Sequence, residues 1–248
     1  MKKILCLLAA LMMAMLCSAA LAEDYAISSD TAFAPFEYMD ETGTYVGIDV
    51  ELLAAIAEDQ GFTYTIEFLG WDASIAACQA GQKDGMIAGA SITEERKNNG
   101  WIFSDGYYHD SQSMAVAANS DIDSFDDLAG KSVAAKIGTM SASYAESLAE
   151  QYGFTVVTME SSPDIYQAVI GGQAAACFDD TLVLVTNISS NPALGIKIVE
   201  GSENEGSDYG MAVFSADRQE LIDKFNAGLA NLKANGKYDE ILAKYLGN

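Results

Sequence analysis

A chain of 248 residues with 36 Asp and Glu against 13 Lys and Arg has a formal charge of −23, which repels phosphate backbones and argues against nucleic acid and anionic membranes as partners. Its length and 50% hydrophobic content suffice for one large core or two modest ones. One histidine and four widely spaced cysteines give no recognisable transition-metal site, and no cofactor is expected.

The first element is a secretory signal. Lys2 and Lys3 precede an apolar stretch and small residues ending Ala20, Leu21, Ala22, before Glu23 and Asp24; this order predicts export with cleavage after Ala22, so that 1–22 is signal and the product acts in the periplasm or outside the cell. Cys17 follows Leu16 and Cys6 lies inside the apolar run, so no lipid anchor is expected. No later segment approaches the ~18 apolar residues of a membrane span, which predicts a soluble monomer without membrane insertion. Cys78 and Cys177 sit in apolar segments and are read as buried free thiols, although export would permit a bridge.

Beyond the signal, strand-like and helix-like runs alternate, the pattern of an α/β protein. Residues 25–29 read as a strand, Thr42 and Gly43 as a turn before Tyr45, and 49–59 as a helix that Asp49 caps and Gly61 closes. Then follow a strand at 62–68, a helix at 72–80, a strand at 84–90 and a short extended piece at 101–104. The second half repeats this grammar: 113–117 and 132–136 extended, 141–152 helical, 154–158 extended, 164–170 helical, 174–178 extended. Residues 180–188 have a β-branched run, but the Asp180, Thr181 start favours a capped helix. Strands at 196–199 and 210–214 precede helices at 217–234 and 238–246, divided by Asn235 and Gly236.

The run from Gly89 to Arg96 carries the most chemistry. Ser91 offers a hydroxyl, Thr93 caps a short helix whose first turn suits Glu94 and Glu95, and Arg96 sits one turn on. A guanidinium presents two parallel donors to a carboxylate, and free N–H groups beside Gly89 add others. The alternative is a surface arginine after a helix cap.

Several blocks in fixed order match one family: Asp30 to Tyr38, Tyr45 to Leu52, Ser91 to Arg96, Phe103 to Tyr108 and Gly236 to Tyr238. Together they resemble the extracellular solute-binding proteins of polar amino-acid ABC transporters, with the glutamine-binding proteins nearest in motif. The resemblance implies the type II periplasmic-binding-protein fold, two α/β lobes joined by two crossing strands: a discontinuous first lobe, 23–106 and 210–248, around a second at 107–209. It implies that Arg96 clamps the α-carboxylate, helped by Ser91 and the Gly89 backbone, and that Asp180 receives the α-ammonium. A zwitterion held out of water needs a counter-charge at each end, which supports this pairing chemically; a plain helix N-cap is the other reading of Asp180. Lys136 to Ser141 resembles the second-lobe loop that completes the carboxylate pocket, with Thr139 and helix-start N–H groups as donors. Met140 stands where the family often has a small residue. Phe33 and Trp71 are expected to wall the ligand or, equally, to be ordinary core.

For specificity, Asp30 and Asp179 oppose an acidic side chain and Lys136 a cationic one, leaving a neutral polar side chain such as glutamine's amide. Asp179 replaces the histidine typical of glutamine binders, a departure that could admit basic amino acids or cystine. The implied partner is a membrane permease. Two other classes compete: an enzyme resembling a cyclohexadienyl dehydratase, which would need an acid or base in the cleft, and a sensory amino-acid-binding module. No nucleophile lies beside a base, and Arg96 with Asp180 already accounts for the cleft, so no catalysis is expected.

Overall fold

The structure, a computed structural model, describes residues 24–247; the predicted signal at 1–22 lies outside them. The chain forms two α/β lobes, each built on a five-stranded sheet. In the first, Asp24–Ser29 lies between Thr63–Phe68 and Gly85–Met86, all parallel. Ala212–Val213 returns from the far end of the chain and pairs antiparallel with Gly85–Met86 and Ile102–Phe103. In the second, Ser132–Lys136 lies parallel between Thr155–Met159 and Ala176–Asp180, and Gln112–Ala117 runs antiparallel between Ala176–Asp180 and Ile196–Ile198. Tyr108–Asp110 and Ser207–Tyr209 pair as the two crossing strands between the sheets.

Local chemistry accounts for the elements. In Ile48–Gln60, Ile48, Leu52, Leu53, Ile56 and Ala57 recur on one buried face, and in Gln219–Asn235 the buried residues are Leu221, Ile222, Phe225, Gly228, Leu229 and Leu232, the spacing of an amphipathic helix. These two helices pack closely enough that a Cβ on Gly228 would lie 2.8 Å from Ile56 Cγ2. Gly228→Val is therefore expected to lower stability by about 1–3 kcal/mol through overpacking, read as a lower denaturation midpoint; an unchanged midpoint would show that the helices part freely. On Ser132–Lys136 alternate residues serve two layers: Val133 and Ala135 join the core under Met140–Tyr152, and Ala134 the core under Ser162–Ile170.

Several expectations change. Helix Ile48–Gln60 is capped by Gly47, and Asp49 is a buried acceptor inside the first turn instead of the cap. The strand expected at 84–90 pairs only over Gly85–Met86, the one expected at 174–178 is Ala176–Asp180, and the small sheet of Ala32–Phe33, Glu37–Met39 and Tyr45–Val46 exceeds the single turn read at 42–43. The ambiguous run is helix Thr181–Ser190. Asp180 occupies its N-cap position but makes no side-chain capping hydrogen bond; instead Asp110, on a crossing strand, accepts the Leu182 N–H at 3.1 Å through Oδ2. Cys78 and Cys177 are buried and unbridged. No helix among the described residues is long and apolar enough to cross a membrane.

Both sheets aim the C-terminal ends of their parallel strands at the space between the lobes. Asp30 follows Asp24–Ser29, the Gly89 run follows Gly85–Met86, Lys136 ends its strand and Asp180 ends Ala176–Asp180. In open α/β sheets, ligand crevices form at such ends.

Candidate functional site

A small, nearly filled cleft lies there, lined from the first lobe by Asp30, Phe33, Trp71, Gly89, Ser91 and Arg96, and from the second by Lys136, Thr139, Met140 and Asp180. Nine of the ten residues expected at the site therefore converge. Asp179 does not. Successive strand side chains face opposite ways, so Asp180 shares a face with Phe178 while Asp179 turns towards Ser162–Ile170, where Tyr166 donates its hydroxyl to Oδ2 at 2.6 Å.

Arg96 is fixed by its short helix. Thr93 caps Glu94–Asn98 by accepting the Arg96 N–H at 3.1 Å. The guanidinium lies 5.1 Å from the Trp71 ring centre and 4.9 Å from that of Trp101. It donates to the Ser91 carbonyl at 2.9 Å and, across the cleft, to the Gly138 carbonyl at 3.2 Å. Trp71 Nε1 donates to that same carbonyl at 3.1 Å, which makes this aromatic residue a bridge between lobes as well as a wall. Burial pulls the Arg96 pKa down to about 10, against the opposing pull of Asp180, so the group stays cationic at neutral pH.

Across from it, Asp180 is buried and its Oδ1 accepts from Gln112 Nε2 at 2.5 Å. Burial first, then Asp179 and Asp110, raise its pKa well above the ordinary carboxylate range, and burial lifts Asp110 to about 6. Asp180 thus faces the cleft with two further acids behind it, a carboxyl that a cation would stabilise in its charged form. Lys136, 2% exposed, forms an ion pair across the cleft with Asp30, 3% exposed. The Lys136 ammonium also lies 5.3 Å from the Phe33 ring centre, a desolvated cation–π contact.

Two donor assignments need correction. The Thr139 hydroxyl is already engaged, donating to the Lys136 carbonyl at 2.6 Å and accepting the Ala142 N–H at 3.2 Å as helix cap. What that helix start offers the cleft are its leading N–H groups, which an α-helix leaves without internal partners. The Gly89 N–H points away from the cleft, to Asp49 Oδ2 at 2.9 Å and the Tyr107 hydroxyl at 3.2 Å; its carbonyl is what remains for the cleft. Gly89 has φ +54°, and a Cβ there would sit 2.4 Å from Phe33 Cε1, so glycine is required where the ring covers the chain. Sequence reasoning missed Gln112, on the second sheet, and Asp110, on a crossing strand, which carry no local motif; Gly138 was read only as part of the Lys136 to Ser141 loop and enters through its carbonyl. Met140 was noticed only as an oddity of the loop.

A family model described as bacterial extracellular solute-binding proteins, family 3, matches residues 25–248. The lysine/arginine/ornithine-binding periplasmic protein of Escherichia coli (strain K12) is 30% identical over 232 residues, covering 92% of this chain and 89% of that one. An ancestral arginine-binding protein bound to arginine superposes with a TM-score of 0.82 at 34% identity, covering 90% of this chain and 97% of that one. An ancestral arginine-binding protein bound to glutamine gives 0.83 at 33%, covering 91% and 98%.

Proposed function

The chain belongs to the bacterial extracellular solute-binding proteins, family 3, and on that premise we propose that it captures a polar L-amino acid, glutamine by preference, between its lobes outside the cytoplasmic membrane and delivers it to an ABC-transporter permease. The observation that carries this reading is the meeting of Arg96 and Asp180, one from each lobe, at a single buried cleft. A dipolar ligand satisfies both: its carboxylate takes the guanidinium, Ser91 and the leading N–H groups of Met140–Tyr152, and its ammonium takes Asp180 with the Gly89 carbonyl. Because the ligand would touch both lobes only when they are closed, its differential affinity favours closure, the shape a permease can recognise.

Glutamine is favoured by the ion pair of Lys136 with Asp30. A cation at the side-chain end of the cleft opposes arginine or lysine, and Asp30 opposes glutamate, whereas an amide can donate to one and accept from the other. The arginine named for one ancestral structure and the basic amino acids named for the Escherichia coli relative support the competing basic ligand. Calorimetric titration with glutamine, glutamate, arginine, lysine, histidine and cystine decides. Glutamine binding at least ~10-fold more tightly than arginine is expected; the reverse order replaces glutamine with a basic ligand, and no binding by any of them sinks the reading. Analysis of recovered ligand for chemical change separates a binder from an enzyme.

Asp180→Asn is expected to weaken glutamine far more than its des-amino analogue, since only the former carries an ammonium; equal losses on both would reassign Asp180 to a structural role. Because burial raises the Asp180 carboxyl and it must ionise to receive an ammonium, affinity should rise with pH through its titration and binding should release protons. Titration in buffers of different ionisation enthalpy measures that release; zero exchange in the wild type would mean the carboxylate is already charged.

A further inference from the structure

Beside the cleft, behind the Gly89 peptide, lie two acids that the binding scheme does not use. Glu37 and Asp49 are both fully buried. The chain brings them together through backbone contacts: Asp49 N–H donates to the Phe36 carbonyl at 2.9 Å and Ile48 N–H to the Pro35 carbonyl at 2.9 Å, which docks the loop before Glu37–Met39 against the first turn of Ile48–Gln60. Gly47 permits the approach, since a Cβ there would lie 2.0 Å from the Phe36 carbonyl oxygen. Asp49 Oδ2 is satisfied by the Gly89 N–H and by the Tyr107 hydroxyl at 2.8 Å. Among the described residues, no N–H or O–H donor reaches Asp49 Oδ1 or either oxygen of Glu37. The two carboxyl groups are, however, within hydrogen-bonding reach of each other.

We propose that Glu37 and Asp49 hold one proton between them and that this acid–carboxylate pair positions the Gly89 peptide in the wall of the cleft. Three buried oxygen atoms without donors are costly, and two buried anions in contact costlier still; a proton on Glu37 turns one oxygen into a donor for Asp49 Oδ1 and removes one charge. Asp49 then remains the anion that draws the Gly89 N–H inward, with the Tyr107 hydroxyl as its other donor. The charged and titratable groups around Glu37 are Asp49, Asp30 and Lys136, and those around Asp49 are Glu37 and Tyr107. Lys136 opposes the proton but is paired with Asp30. Burial, then Asp49 and Asp30, hold the Glu37 carboxyl well above the ordinary range, and burial lifts Asp49 to about 6. The inference holds whatever the cleft binds.

The sign of the pH effect follows. The native pair keeps a proton that the unfolded chain gives up above the ordinary glutamate range, so stability present at low pH is lost as pH rises through the native titration. Glu37→Gln keeps an N–H donor towards Asp49 and deletes the titration. Equilibrium unfolding of both proteins from pH 5 to 8 should give curves differing by about one proton, that is, up to tenfold in the unfolding constant per pH unit. In wild type labelled with ¹³C at the glutamate carboxyls, one resonance should have the shift of a protonated acid at pH 7 and be missing from Glu37→Gln. The Gly89 amide resonance should follow the same titration in the wild type and stay flat in the variant. Parallel unfolding curves, or no protonated glutamate at pH 7, overturn the shared proton; a Gly89 amide that ignores the Glu37 titration overturns its positioning role. Should Glu37→Gln not fold, the wild-type carboxyl and amide titrations alone still decide both points.

Discussion

Arg96→Ala is expected to remove amino-acid binding, raising the dissociation constant of the best wild-type ligand by about 10²–10³-fold in calorimetric titration. Removing one member of a buried charge pair costs about 3–5 kcal/mol, because the partner charge is left desolvated and alone, and each 1.4 kcal/mol is about tenfold in affinity. The guanidinium also has a pre-set plane: the Trp71 and Trp101 rings lie on either contact, and the Ser91 carbonyl fixes one nitrogen. Its second nitrogen reaches the Gly138 carbonyl, which Trp71 Nε1 shares, so Arg96 can turn to a ligand carboxylate without leaving that carbonyl unsatisfied. Arg96→Lys should rescue little, since one ammonium cannot reproduce two parallel donors or the contact of a planar cation with both rings. Because Arg96 lies against Trp71 and Trp101 of the first lobe's core, the denaturation midpoint of each variant is measured alongside its affinity, and a loss of affinity at an unchanged midpoint assigns the effect to the clamp. Retention of affinity within a few-fold by Arg96→Ala would end the carboxylate-clamp assignment.

Fold and site were legible to different depths, for reasons visible at single residues. The helices Ile48–Gln60 and Gln219–Asn235 announce themselves through the recurrence of apolar residues and through Gly61 and Gly236 at their ends. The strand ends carrying Lys136 and Asp180 follow from runs bounded by glycine and polar residues. Asp179 and Asp180 differ only in which face of the strand they occupy, and the pattern ended that strand at Phe178, leaving both acids beyond it with no face assigned, whereas the ladder runs on to Asp180. Gly89 was recognised as part of the site, but which of its two backbone groups faces the cleft depends on its positive φ and on Asp49, 40 positions away in sequence. Asp49 itself looked like a helix cap because aspartate before an apolar run usually is one; here Gly47 takes the cap and the carboxylate turns inward. Gln112 and Asp110 were invisible because their roles exist only once the second sheet pairs Gln112 with Asp180 and a crossing strand brings Asp110 to Leu182.

The second large effect is expected at the side-chain end of the cleft. Lys136→Met should lower glutamine affinity and raise arginine or lysine affinity, changing their ratio by about 10²-fold or more in competition titrations. Lys136 is the counter-charge of Asp30 within the cleft, and its stem packs near the Phe33 and Trp71 rings, with the ammonium 5.3 and 6.0 Å from their centres. Methionine keeps an unbranched apolar stem against those rings and removes the charge, leaving Asp30 a buried anion without a partner, a state that costs several kcal/mol. A ligand that brings its own cation relieves that cost and a neutral amide does not, so the penalty converts directly into preference. Asp30→Asn supplies the mirror case: Lys136 becomes the unpaired charge, basic ligands should be rejected more strongly, and glutamate should gain. Opposite shifts from the two substitutions would identify the pair as the selectivity element; an unchanged glutamine-to-arginine ratio in both would mean that Lys136 and Asp30 only join the lobes, and that selectivity lies with the shape set by Met140 and Trp71.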